Sequence, residues 1–174
     1  VRYRLGVTGN ESGEITIVRA TAEHRAALEA LVARIEAEDR PEDPEAAARA
    51  PRGVAESLSR YDALASDSAW FLLAYEDDRA AGLAVLARVP KLDRRVGFLY
   101  LDELHVLAER RRRGIGTALI RSAVGLAREL GLAGIRLLTR PNNEAARALY
   151  ESLGFRRSET LLYRLSVERD EPAF

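Results

Sequence analysis

Short alternating apolar runs and longer stripes of helical period take turns along the chain, and each predicts an element. "EITIVRA", Glu14 to Ala20, alternates and is β-branched, which predicts a strand. From Ala22 to about Glu38, the residues Leu28, Leu31, Val32 and Ile35 recur at helical spacing. Thr21 is a candidate cap for this helix, but His24 stands where a capping box wants Glu or Gln, so the box reads as incomplete. "EDRPEDPE", Glu38 to Glu45, reads as an acidic loop, and a weaker helix is expected from Val54 to Ala65. "AWFLLAYEDD" and "AAGLAVLARVP" predict an antiparallel hairpin turning near Asp77, Asp78 and Arg79. "KLDRR" then reads as a polar turn. "VGFLYLDELHVL", Val96 to Leu107, is nearly continuously apolar, which predicts a strand buried on both faces and central in its sheet.

A helix from about Gly114 to Leu130 follows, with Ile115, Leu119, Ala123, Leu126 and Leu130 on one stripe and Gly131 as its stop. "AGIRLLTR", Ala133 to Arg140, predicts a strand. "NNEAARALYESLGF" predicts a short helix with Asn caps, Glu144 in its first turn and Gly154 at its end. "LLYRLSV", Leu161 to Val167, predicts a closing strand. The expected organisation is a poorly ordered lead-in over 1–13, one domain over 14–167 and a frayed tail over 168–174.

Charge and composition narrow the function. The chain has 174 residues, with 27 basic and 27 acidic side chains, so its formal net charge is zero. That balance disfavours bulk electrostatic binding to nucleic acid or to an anionic membrane. It has no cysteine, which removes disulfides, thiolate metal sites and a cysteine nucleophile. His24 and His105 are the only histidines, so a multi-histidine metal site is not expected. No apolar run approaches the roughly 18 residues of a membrane span. The first residues, "VRYRLGVTGNESG", lack the apolar core of a signal peptide, so the expected location is the cytoplasm.

The chemistry concentrates in "ERRRRGIGTAL", Glu109 to Leu119, where an arginine run meets a Gly-x-Gly pair and a helix start. Glycines let main-chain N–H groups converge on an anion, and the first helical turn carries unpaired N–H groups and partial positive charge. Together these make a phosphate site, to which arginines add charge-assisted bonds. By spacing alone, a solvated arginine run at a helix start stays equally open. There is no G-x-x-x-x-G-K-[ST], so no P-loop. A dinucleotide fingerprint fails too, because Leu119 stands where the third glycine belongs.

"ELHVLAERRRRGIGTALI" resembles the acetyl-CoA signature of the GNAT N-acetyltransferases, whose pattern [RQ]-x-x-G-x-[GA] opens a helix after a strand. Arg111, Arg112, Arg113, Gly114, Ile115 and Gly116 fit it position for position. Asn143, Ala146, Leu149, Tyr150, Leu153, Gly154 and Phe155 resemble the family's second element. The resemblance is strong over about Val96 to Val167, while the first half matches in element order. It implies a GNAT-type α/β fold: a mixed, mostly antiparallel central sheet flanked by helices and splayed at the acetyl-CoA strand.

The resemblance also implies roles. The main chain of Arg111 to Thr117 would hold the pyrophosphate of acetyl-CoA. Leu104 and Val106, with His105 between them, would pair through their backbone with the pantetheine arm, like an added strand. The implied reaction is acetyl transfer to a primary amine, with no metal. Strand alternation puts Glu103 and His105 on one face and Asp102 on the other. Glu103 is the candidate base with His105 as helper, Asp102 ranks below it, and each also reads as a buried hydrogen-bond partner. Tyr150 aligns with a tyrosine that donates to the coenzyme sulfur, and it also reads as core packing. Asn143 is either a coenzyme contact or the helix cap, which Asn142 could take instead. The acidic loop holding Glu36, Glu38, Asp39, Glu42, Asp43 and Glu45 is either solvated or a site for a cationic acceptor. The rival function is a non-catalytic acyl-CoA-binding module of the same fold. The chain is expected to be a monomer or a homodimer that binds no nucleic acid and no membrane.

Overall fold

β-branched and aromatic alternation builds six strands, and helical stripes build four helices, among the described residues. The computed structural model describes residues 2–3, 14–60, 62–92 and 96–165. The strands are β1 (Arg2–Tyr3), β2 (Ile15–Arg19), β3 (Ala69–Glu76), β4 (Arg79–Val89), β5 (Phe98–Val106) and β6 (Ile135–Leu137). The helices are α1 (Arg25–Asp39), α2 (Pro44–Arg60), α3 (Ile115–Glu129) and α4 (Glu144–Ser152). The strands follow sequence order across one sheet, antiparallel throughout except for the parallel pair β5–β6. This is the mixed, mostly antiparallel sheet the sequence leads one to expect. The chain divides into two units, residues 1–138 with the whole sheet and α1 to α3, and residues 139–174 with α4.

In the first unit, cross-strand partners share a face, so the register assigns each layer. Leu73 pairs with Leu83, and both pack with Leu28, Leu31 and Ile35 of α1 and Leu58 of α2. That is one face. The other is set by Gly82, where an added Cβ would lie 3.0 Å from Ile115 Cγ2 and 3.3 Å from Leu119 Cδ1. The missing side chain is what lets α3 sit down on β4. Leu72, Ala74, Ala84, Leu86, Leu99 and Leu101 fall on this α3 face by register and are buried. Each large aliphatic side chain so buried contributes about 1.5–3 kcal/mol.

The alternation of β5 breaks once. Val85 pairs with Glu103 and Leu86 with Leu101, so Asp102 has no partner on β4 and forms a bulge. Before it, Leu99 and Leu101 face α3. After it, Val106 pairs with Gly82 and so faces α3, as does Leu104, while Glu103 and His105 turn to the α1–α2 face.

Four expectations need correction. β5 is not central: it is next to last in the sheet, and of the run Val96 to Leu107 only Leu99, Leu101 and Leu107 are buried, because β6 covers the strand for three residues. The second helix starts ten residues earlier than expected, at Pro44, whose missing N–H costs nothing in a first turn. It also continues through Pro51, flanked by the Arg49–Glu45 and Arg52–Glu56 pairs. The box at Thr21 is complete, because His24 Nδ1 accepts from the Thr21 N–H at 3.2 Å and so replaces a glutamate. Of the expected closing strand, Leu161 to Leu165 form no strand; among the described residues their own unit holds one helix and no second strand to pair with. Residues 166–167, the tail, residues 93–95 of the polar turn and most of the lead-in lie outside the described residues. Within that lead-in, β1 pairs with β2.

Candidate functional site

An open backbone edge is the first component. Leu107 N–H donates to Ala81 O at 3.0 Å across the β4–β5 ladder. Alternate residues of a strand bond to the same neighbour, so His105 and Glu103 also bond toward β4. Leu104 and Val106 therefore present their N–H and C=O groups to the opposite edge. There β6 pairs only with Leu99, Tyr100 and Leu101. Beyond Leu101 no residue of β5 pairs with β6, which ends at Leu137.

The second component is the turn into α3. Ala108–Arg110 forms a 3-10 turn, and then Arg112 takes φ +65° and Gly114 φ +88° as the N-cap of α3. Ala118 N–H donates to Gly114 O at 2.9 Å, which leaves the N–H groups of Ile115, Gly116 and Thr117 at the free helix start. A left-handed arginine costs about 1–2 kcal/mol, so something must hold it.

The arginine run is not uniformly solvated. Glu76, at the end of β3, is fully buried, and Arg110 donates to its Oε2 at 2.6 Å. Arg113 reaches the same oxygen at 3.5 Å. A carboxylate buried this deeply costs several kcal/mol unless paired, so these arginines are structural partners first. Arg111 Nε donates to Val106 O at 3.0 Å, and its guanidinium lies 3.9 Å from Glu38 Oε2. Only Arg112 has no side-chain partner among the described residues.

Glu103 and His105 are brought together on one face, with Oε2 and Nε2 3.8 Å apart and both side chains partly exposed. Asp102 is exposed on its bulge. The end of α1 is tied to the loop before the turn: both Glu38 carboxylate oxygens accept from Ala108 N–H at 3.0–3.1 Å, and Arg34 pairs with Glu109. The Glu109 carboxyl is held below its ordinary value, chiefly by its own backbone N–H and then by Arg34. The acidic loop is largely self-paired: Glu36 with Arg40, and Asp43 and Glu45 with Arg49. Asp43 Oδ1 also caps α2 by accepting from Ala46 N–H at 3.0 Å. Asp39 and Glu42 remain without a partner among the described residues.

In the second unit, Asn143 rather than Asn142 caps α4, its Oδ1 accepting from Ala146 N–H at 3.2 Å. Tyr150 is half-buried with its ring 5.7 Å from that of Phe155, and burial pushes its phenol above the ordinary value.

The sequence pattern of the family described as "Acetyltransferase (GNAT) family" matches residues 25–155, about three quarters of the chain and both motifs. This chain belongs to the GNAT acetyltransferase family. It is 34% identical over 102 residues to "N-acetyltransferase family 8 member 3" of Rattus norvegicus, covering 58% of this chain and 44% of that protein. The chain thus matches under half the length of that relative. Among solved structures it resembles an aminoglycoside acetyltransferase from an uncultured soil metagenomic sample, at 25% identity and TM-score 0.70 over 88% of this chain and 99% of that one. An aminoglycoside N-acetyltransferase in complex with CoA shares the fold, at 18% identity and TM-score 0.66 over 92% of this chain and 99% of that one.

For a GNAT chain, the sequence places the glycine turn and the Leu104–Val106 edge in one continuous stretch of the first unit. Asn143 and Tyr150 lie in the second unit, where one is a cap and the other a buried phenol. Sequence reasoning missed Glu76 and Arg110. The available signal was a lone acidic residue ending the apolar run "AWFLLAY", which reads equally well as the start of the Asp77–Asp78 turn.

Proposed function

We propose that this chain is an N-acetyltransferase that moves the acetyl group of acetyl-CoA to a primary amine by direct attack in a ternary complex. The observation that carries the reading is the edge of β5 at Leu104 and Val106, left unpaired by β6 and with Val106 O held by Arg111, running into the N–H groups at the start of α3. That combination suits a ligand with amides at one end and a diphosphate at the other. The main chain of Arg111 to Thr117 takes the diphosphate, and that of Leu104 to Val106 takes the pantetheine amides. Acetyl-CoA supplies the activated acyl group.

Glu103 removes the proton that the attacking amine must lose, directly or through water, with His105 as helper. A backbone N–H of the β5 edge donates to the carbonyl oxygen as charge develops on it. Tyr150, held protonated by burial, gives its proton to the leaving sulfur. Asn143 spends its Oδ1 on the helix cap, which leaves its amide N–H groups for the coenzyme. The acceptor is proposed to be a cationic amine read by Asp39 and Glu42, the acidic side chains near the end of α1 that no arginine among the described residues neutralises. The relative named an N-acetyltransferase and the aminoglycoside acetyltransferase neighbours support an amine as acceptor.

The test is thiol release from acetyl-CoA mixed with polyamines, an aminoglycoside-like amine and a basic peptide terminus. Amine-dependent release is the expected result. Coenzyme binding with no release from any amine would favour a non-catalytic acyl-CoA-binding module, and absence of binding would end both readings.

A further inference from the structure

The arginines of the turn look equivalent in sequence, but the fold gives them different work. Arg110 and Arg113 bracket the turn, and both reach inward to one oxygen of Glu76. By register Glu76 lies on the α3 face with Leu72 and Ala74. Its β2 partner is Ile15, whose Cδ1 would lie 4.0 Å from a Cβ at Gly114. The buried carboxylate therefore sits under the start of α3, where the helix's partial positive charge also favours it. Between the two clamped arginines stands Arg112, whose left-handed backbone persists only where its surroundings hold it there.

We infer that Glu76 is a positioning residue for the coenzyme's diphosphate, resting on the function proposed above. It ties down Arg110 and Arg113 on either side of Arg112. That keeps the N–H groups of the turn converged before the ligand arrives and leaves the Arg112 guanidinium free to meet phosphate oxygens. The same carboxylate offsets the charge of Arg110, so the turn attracts anions without repelling itself apart. Glu76 touches no part of the ligand in this assignment.

The experiment compares two acyl donors with whichever amine the panel identifies: acetyl-CoA, and S-acetylpantetheine, which has the same thioester and amides but no phosphate. Glu76→Gln keeps size and removes the charge. The expected result is an acetyl-CoA KM raised about tenfold, the factor for loss of about 1.4 kcal/mol. kcat should stay within about twofold, and the rate slope with S-acetylpantetheine should be unchanged. Should that variant not fold, the doubly neutral Glu76→Gln with Arg110→Gln leaves no unpaired buried charge and carries the same expectation. Equal losses for both donors, or no loss with acetyl-CoA, would overturn the inference. Wild-type protein that fails to use acetyl-CoA at all would instead overturn the function itself.

Discussion

At the scale of single residues, a phenol ordinarily titrates near about 10 and is already protonated at neutral pH. Burial pushes Tyr150 higher still. An acid must hold its proton, so its activity is lost as pH rises through that raised value, and the alkaline limb should lie above the ordinary tyrosine range. Tyr150→Phe should lower kcat about a hundredfold. It should leave acetyl-CoA affinity nearly unchanged and abolish that limb; equal losses in kcat and affinity would argue against the acid role. Glu109 works in the opposite sense. Its depressed value means that its contribution to stability is complete above the ordinary carboxylate range and lost as pH falls through the depressed one. Melting curves of Glu109→Gln and wild type should differ at neutral pH and converge in strong acid. The shared face of Glu103 and His105 was legible, since it needs only a two-residue period. Glu76 was not, because a buried ion pair between β3 and a turn 34 residues later leaves no periodic trace.

At the scale of elements, hairpin and helix positions were largely legible, and the misreadings have local causes. The second helix is expected only from Val54, yet α2 begins on Pro44 and passes through Pro51. Proline in a helix interior costs about 3 kcal/mol relative to alanine, less where the helix has already adapted. Pro51→Ala should therefore raise the melting temperature, and a lower one would mean that the proline ring is needed for packing. β5 was read as central because its apolar run looks uniform, but the sequence of a strand does not say where its neighbour stops. Gly82 sits where β4 meets α3, with His105 O 2.9 Å from an added Cβ. Gly82→Ala forces backbone and helix apart and should cost about 1–3 kcal/mol, measured by denaturant unfolding.

At the scale of the whole molecule, zero net charge hides a division of labour. Most acidic groups near the end of α1 are neutralised by nearby arginines, which leaves Asp39 and Glu42. Asp43 is a poor target for testing the acceptor, because it caps α2. Asp39→Lys with Glu42→Lys should instead raise the acceptor KM severalfold while acetyl-CoA KM stays put, as steady-state kinetics in both substrates would show. Because the ladder skips Asp102, the charged groups of β5 fall on the layer opposite to Leu101. Excising Asp102 would remove the unpaired residue and leave Leu101 opposite Leu86 and Glu103 opposite Val85, so Glu103 and His105 would stay on the α1–α2 face and Leu104 and Val106 toward α3. Exchanging its side chain leaves the phase intact. Position 102 should thus accept many amino acids and even its own deletion, a pattern that a saturation library carrying both kinds of change would expose.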